Sequence, residues 1–251
     1  MRRPTMVATA VALAALVLAL TPVTTAGALA PRLPDLGMAS LSDFRIDTFS
    51  GVRRLRFTTE IVNVGAGPFL VSGRRPASSG GVMSSVRQQV VYDNGAVGSI
   101  RTQAVMDYSG DDHDHWHVRD LERYSITRVG SARELGRGAK VGFCFLDSHA
   151  YRLSLPGAPP APVYGSAGCG SQGSTSVDMG LSVGWGDIYP SGLTLQWIDI
   201  AGLPSGEYVV RAQADPNAVF TEVTRANNLT WTRVHISDTN QVTVLEQGPA
   251  A

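Results

Sequence analysis

The chain has 251 residues, with 21 Lys and Arg against 21 Asp and Glu, and 43% of its side chains are apolar. That composition argues against a disordered chain, which would have too little apolar surface to bury. Zero formal net charge with no dense Lys/Arg cluster argues against a nucleic-acid binder, because neutralising phosphates needs a basic face.

Residues 1–28 read as a secretory signal peptide. Arg2-Arg3 supplies the positive charge, Met6 to Leu20 is almost wholly apolar, and Ala26-Gly27-Ala28 fits the small-x-small cleavage rule. The apolar run of about 15 residues is shorter than the roughly 20 a bilayer span needs. The mature chain, 29–251 with a core of about 34–237, is therefore expected to be secreted and to lack a membrane span.

Leu33-Pro34-Asp35-Leu36 reads as an extended lead-in. From Arg54 to Val62 the pattern alternates, with Leu55, Phe57, Thr59 and Ile61 on one face and Arg54, Arg56, Thr58 and Glu60 on the other. This predicts a half-buried antiparallel strand. Val86 to Tyr92 predicts a strand closed by a hairpin turn at Asp93-Asn94-Gly95. Further strands are expected at 121–128, 141–146, 193–200, 207–213 and 229–236. Residues 73–85 and 152–178, rich in Gly and Ser, read as loops. A short helix has room in the 176–190 region, and residues past Asp238 read as a frayed tail. The 27 Gly and 14 Pro, many at turn positions, complete an all-β reading: one β-sandwich-like domain with long loops. Cys144 and Cys169, an even count in an exported chain, suggest one disulfide.

Three of the five histidines alternate at His113, His115 and His117 within Asp111-Asp112-His113-Asp114-His115-Trp116-His117. Imidazole is a ligand for copper, zinc, iron and nickel. A straight strand would spread the outer two by roughly 13 Å at about 3.3 Å per residue, so the segment must bend for all three to reach one ion. With no cysteine beside them, copper, zinc and non-haem iron stay open, and export fits copper or zinc better than ferrous iron.

His113-Asp114-His115-Trp116-His117, followed by Asp120 and Tyr124, resembles the His-x-His-x-His copper segment of the lysyl oxidase family. Three more segments follow in the same order. Lys140 to Cys144 is similar to the family's Lys-x-x-Phe-Cys. Asp187-Ile188-Tyr189, on to Gln196-Trp197-Ile198-Asp199, resembles its Asp-x-Tyr ahead of Gln-Trp-Ile-Asp. Asp215-Pro216 through Glu222 to Asn227-Asn228 resembles its closing hairpin. The resemblance implies Cu(II) held by His113, His115 and His117, and a lysine tyrosylquinone made from Lys140 and Tyr189. It implies a Cys144–Cys169 disulfide between the Lys140 strand and the loop before Tyr189. It also implies a Ca(II) site from Asp35, the backbone of Leu36, Glu222, Asn227 and Asn228. Thr224 stands where animal relatives often carry an acidic ligand, and Met106 to Gly110 replaces their tryptophan-rich approach.

The implied activity is oxidative deamination of a primary amine, including a peptidyl lysine, by O₂ to an aldehyde, ammonia and hydrogen peroxide. A base must take a proton from the substrate, and Asp120 and Asp187 are candidates by motif adjacency. The competing expectation is a non-catalytic extracellular immunoglobulin-like adhesion module with a metal site. Placement of Tyr189 and Lys140 relative to the histidines separates the two.

Overall fold

The computed structural model describes residues 29–78, 80–109, 114–139 and 142–251. The expected signal peptide, His113 and Lys140 lie outside these. The described residues form four antiparallel sheets, and Ser166–Cys169 is their one helical element, a single 3₁₀ turn.

The organising strand is Val52–Asn63. Ser42–Phe49, Leu36–Met38, Trp185–Tyr189 and Trp197–Asp199 all pair with it, and His149–Ala150 extends the sheet beyond Trp185–Tyr189. The sequence pattern suggests that only one face of this strand is buried, but both are. Leu55, Phe57, Thr59 and Ile61 enter the core. On the other face Arg56 donates to the carbonyls of Ser191 (2.7 Å) and Leu193 (3.1 Å) and pairs with Asp47. Glu60 meets His149 Nδ1 at 2.8 Å. The chain segment past Tyr189 therefore covers what the polar pattern suggested was solvent-facing, and each buried polar group on that face has its own partner.

A second sheet runs in the order Glu134–Arg137, Glu122–Arg128, Gly206–Ala214, Leu229–Ile236, Val242–Gln247. The last strand corrects the expected frayed tail: residues 242–247 pair along Leu229–Ile236, and the Ala251 N–H donates to Met38. Alternation in these strands turns Tyr124, Ile126, Tyr208, Val210, Ala212 and Val234 inward. Phe57 and Tyr124 meet edge-on across the two sheets, with centroids 5.2 Å apart. Full burial of each large apolar side chain here contributes about 1.5–3 kcal/mol, and this layer is the centre of the sandwich.

The other two sheets cover the flanks. In one, Ser85–Tyr92 lies beside Phe69–Arg74 and turns at Gly95, whose φ of +81° favours glycine, into Val97–Arg101. Ser176–Leu181, which pairs with the other side of Phe69–Arg74, is, like Trp185–Tyr189, strand where a helix had room. In the first of these Val177, Met179 and Leu181 alternate inward while Ser176 and Asp178 face out, a period of two that a strand satisfies. The fourth sheet joins Gly142–Phe143, His115–Arg119, Met106–Ser109 and Val82–Met83. It holds His115 and His117.

Candidate active site

Asp114 takes φ +39° immediately before the His115–Arg119 strand, so the chain bends where the spacing argument required it to. His115 and His117 then share one face. Their Nε2 atoms are 2.8 Å apart, and the rings meet edge to face with centroids 4.6 Å apart. Trp116 between them points the other way, fully buried, with its indole N–H on the Ser171 carbonyl at 2.8 Å. Trp116 therefore anchors the strand while the imidazoles converge. Two imidazole nitrogens bound to one ion at about 2.0–2.1 Å, at right angles, stand about 2.8–3.0 Å apart. The observed pair fits that spacing. Among the described residues no third His, Cys, Asp or Glu completes a metal cluster.

The next strand seats His117 from below. Phe143 pairs with Val118 and Gly142 with Arg119. A Cβ on Gly142 would fall 2.9 Å from the His117 Cβ and 3.1 Å from the Val118 carbonyl, so glycine is required for this approach. Phe143 in turn stacks edge-on against Tyr189, centroid to centroid 4.3 Å. The Tyr189 hydroxyl donates to the Cys144 carbonyl at 3.3 Å. Cys144 is bridged to Cys169, with Cα atoms 5.7 Å apart. Tyr189 is thus two contacts from His117, through Phe143 and Gly142.

Burial pushes the Tyr189 phenol well above its ordinary pKa, and the Asp187 carboxylate, Tyr124 and Glu122 push it further the same way. Asp187 is itself buried on the same strand face, with Ser148 Oγ at 3.4 Å from its Oδ1. Asp120, the other candidate base, is exposed on the turn after the histidine strand with φ +54°. The structure therefore brings Asp187, but not Asp120, to Tyr189.

Sequence reasoning missed a buried polar network beside this tyrosine. Tyr124 Oη donates to Glu122 Oε2 at 2.5 Å and lies 2.9 Å from Thr59 Oγ1 and 3.1 Å from Gln196 Oε1. Gln196 Nε2 donates to the Phe57 carbonyl at 3.1 Å. Burial, first, and the adjacent Glu122 carboxylate hold the Tyr124 phenol well above its usual range. The overlooked signal was a Glu at the inward-facing positions 122, 124 and 126 of an alternating strand, where a carboxylate is rare without a task.

The residues named for a second site lie near one another. The Leu36 N–H donates to Glu222 Oε2 and Asn228 Nδ2 to Glu222 Oε1, both at 3.0 Å, while the Thr224 N–H reaches Asp35 at 3.3 Å. Oδ1 of Asn227 and of Asn228 are buried without a protein donor. Two such acceptors beside two carboxylates suit a hard cation. Arg225, which sequence reasoning did not single out, already bridges Glu222 (2.7 Å) and Asp215 (2.9 Å).

Residues 101–246, more than half the chain, match the sequence pattern of the lysyl oxidase family. The chain belongs to the lysyl oxidase family. Among relatives, human lysyl oxidase homolog 1 is 26% identical over 124 residues, covering 49% of this chain and 19% of its own length. Chicken protein-lysine 6-oxidase is 27% identical over 118 residues, covering 47% of this chain and 25% of its own. The pig protein-lysine 6-oxidase match covers 42% of that protein at 25% identity. The chain thus spans less than half the length of these lysyl oxidase relatives. No helix of the described residues is long and apolar enough to cross a membrane.

Proposed function

We propose that this lysyl oxidase family member is a secreted, copper-dependent oxidase of primary amines, peptidyl lysine included. Its net reaction is RCH₂NH₂ + O₂ + H₂O → RCHO + NH₃ + H₂O₂. The observation that carries the reading is the short path from His117 through Gly142 and Phe143 to the buried hydroxyl of Tyr189. An adhesion module has no use for a buried phenol linked through one short strand to converging imidazoles.

In this reading His115 and His117, with His113, hold Cu(II). Copper with dioxygen supplies the oxidising power that converts a phenol to a quinone and lets a lysine amine, that of Lys140, join the ring. The chain's own groups do the rest. Phe143 fixes the plane of the Tyr189 ring, the Cys144 carbonyl fixes its hydroxyl direction, and burial keeps bulk solvent from the ring. Asp187, beside Tyr189, is the better placed of the two candidate bases for accepting a proton; Asp120 stands on the approach. Lys140 is the chain's single lysine, and arginine cannot replace it, because guanidinium stays protonated. Asp35, the Leu36 backbone, Glu222, Asn227 and Asn228 would hold Ca(II), tying the start of the Leu36–Met38 strand to the 222–228 turn.

The test is aerobic copper loading of the mature chain, followed by carbonyl-reagent labelling and peroxide assay with primary amines. One copper per chain, labelling at Tyr189 and amine-dependent peroxide are expected. A copper-loaded chain that takes no label and releases no peroxide would overturn the reading.

A further inference from the structure

A cleft of about 340 Å³ opens beside the turn that follows the histidine strand. Asp120, Glu122, Tyr124, Gly138 and Asn217 line it; exposed Asp120 marks its rim, and the buried Glu122 and Tyr124 mark its floor. Two arginines also line it, Arg123 and Arg137, and both are engaged by the same carboxylate, Glu134. Against these two guanidiniums stand three carboxylates, Asp120, Glu122 and Glu134, so an incoming cation meets a net negative charge.

Glu122 is 4% exposed. The Tyr124 hydroxyl donates to its Oε2 at 2.5 Å, and the Thr59 hydroxyl reaches the same oxygen at 3.4 Å. Hydroxyl donors of this kind hold a carboxylate in place and leave its charge to act on a ligand. The floor of the cleft also borders the proposed quinone precursor. Thr59 is the register partner of Tyr189, so their side chains leave the sheet on the same face. The charge of Glu122 is felt at the Tyr189 phenol. Gly138, on the cleft wall, is two positions from Lys140 in the chain.

We propose that this cleft receives the substrate's primary amine and that Glu122 accepts the proton the ammonium must lose before its nitrogen can attack a carbonyl carbon. The proposal rests on the amine oxidase reading. A primary amine arrives as an ammonium ion at neutral pH and has no lone pair to donate. In the cleft its N–H donors meet Asp120 first and Glu122 at the floor. The step moves one proton: R–NH₃⁺ and the Glu122 carboxylate become R–NH₂ and the carboxylic acid, with no change of oxidation state. Tyr124 and Thr59 position the accepting oxygen, and Gln196 in turn holds Tyr124.

The experiment titrates n-hexylammonium chloride into the full mature chain by calorimetry and, in parallel, measures peroxide release from n-hexylamine by the copper-loaded chain. The variants are Glu122→Gln, isosteric at the floor, and Asn217→Arg, a cation placed at the mouth without touching Glu122. Asp178→Asn, in an exposed ion pair with Arg74 on another sheet, is the control. Millimolar or tighter binding is expected in the unaltered chain and in Asp178→Asn. Loss of at least about tenfold is expected in Glu122→Gln and in Asn217→Arg, the factor of one charge-assisted contact. If Glu122→Gln fails to fold, Asn217→Arg decides. Unchanged affinity in the folded variants, or no binding in the unaltered chain, overturns the proposal. Peroxide release that is the same in Glu122→Gln also overturns it and leaves the oxidase reading standing. Binding that follows the expected variant pattern without peroxide from any amine supports the cleft and removes the oxidase reading.

Discussion

Tyr189 and Thr59 stand directly opposite each other where the Trp185–Tyr189 strand pairs with Val52–Asn63. That single register sets two environments against one phenol. On one side lie Phe143 and the Cys144 carbonyl, leading to His117. On the other lie Thr59, Tyr124 and Glu122. A one-residue slip would turn Tyr189 to the opposite face and separate it from both.

Tyr189→Phe keeps the ring in place against Phe143 and removes only the hydroxyl bond to Cys144. Stability is expected to change by about 0.5–1.5 kcal/mol, the net worth of one hydrogen bond. The quinone absorbance after copper loading, and amine-dependent peroxide, are expected to vanish. Denaturant unfolding and visible spectra measure the two effects separately. Lys140→Arg should lose the absorbance as completely, and full activity in either variant contradicts the assigned pair.

Gly142→Ala is expected to weaken copper binding although no ligand is altered. The new Cβ meets the His117 Cβ at 2.9 Å and the Val118 carbonyl at 3.1 Å, neither of which can move without the strand moving. His117→Ala should abolish stoichiometric copper. Metal analysis after dialysis reads both, and a Gly142→Ala chain with unaltered copper content would show that His117 is not seated by this contact.

Removing the disulfide as Cys144→Ser with Cys169→Ser reopens a 25-residue separation, a loss of about 3 kcal/mol in the chain-entropy account. The carbonyl that orients Tyr189 belongs to Cys144, so slower appearance of the quinone absorbance is expected as well. Equilibrium unfolding at a permissive temperature and the time course of absorbance check the two parts.

Burial raises the Glu222 carboxyl from 4.5 to about 7, against the lowering effects of Asn228, the Leu36 N–H and Arg225. The folded chain then holds this proton more tightly than the unfolded chain does. Its contribution to stability is complete below pH 4.5 and is lost as pH rises to about 7. In chelator, the melting temperature is expected to fall across that window relative to Glu222→Gln. Calcium competes with the proton, so its stabilising effect should grow as pH rises through the same range. A calcium effect independent of pH would separate Glu222 from the cation.

The strand pattern was readable because alternation in 54–62, 207–213 and 229–236 reflects the pleat directly. The limits of that pattern are equally physical. Arg56, Thr58 and Glu60 look solvent-facing in sequence, but the 189–193 segment and His149 cover them, and such long-range cover leaves no periodic trace. Residues 242–247 carry Val and Thr, yet read as a tail because an edge strand takes its order from its neighbour. At the site, the motif spacing led to His115, His117, Asp187 and Tyr189. Glu122 was hidden, and Tyr124 stood out only as part of the motif, because their pairing is made by contacts with Thr59 and Gln196, far off in the chain. His113 and Lys140 lie outside the described residues.

The most direct test of the account is peptide mass mapping of the mature chain after aerobic copper loading, against a copper-free control. A copper-dependent cross-linked species joining the peptide containing Lys140 to the one containing Tyr189, absent from Tyr189→Phe, is expected. Recovery of the two peptides as separate, unmodified species from a chain that has bound copper would contradict it.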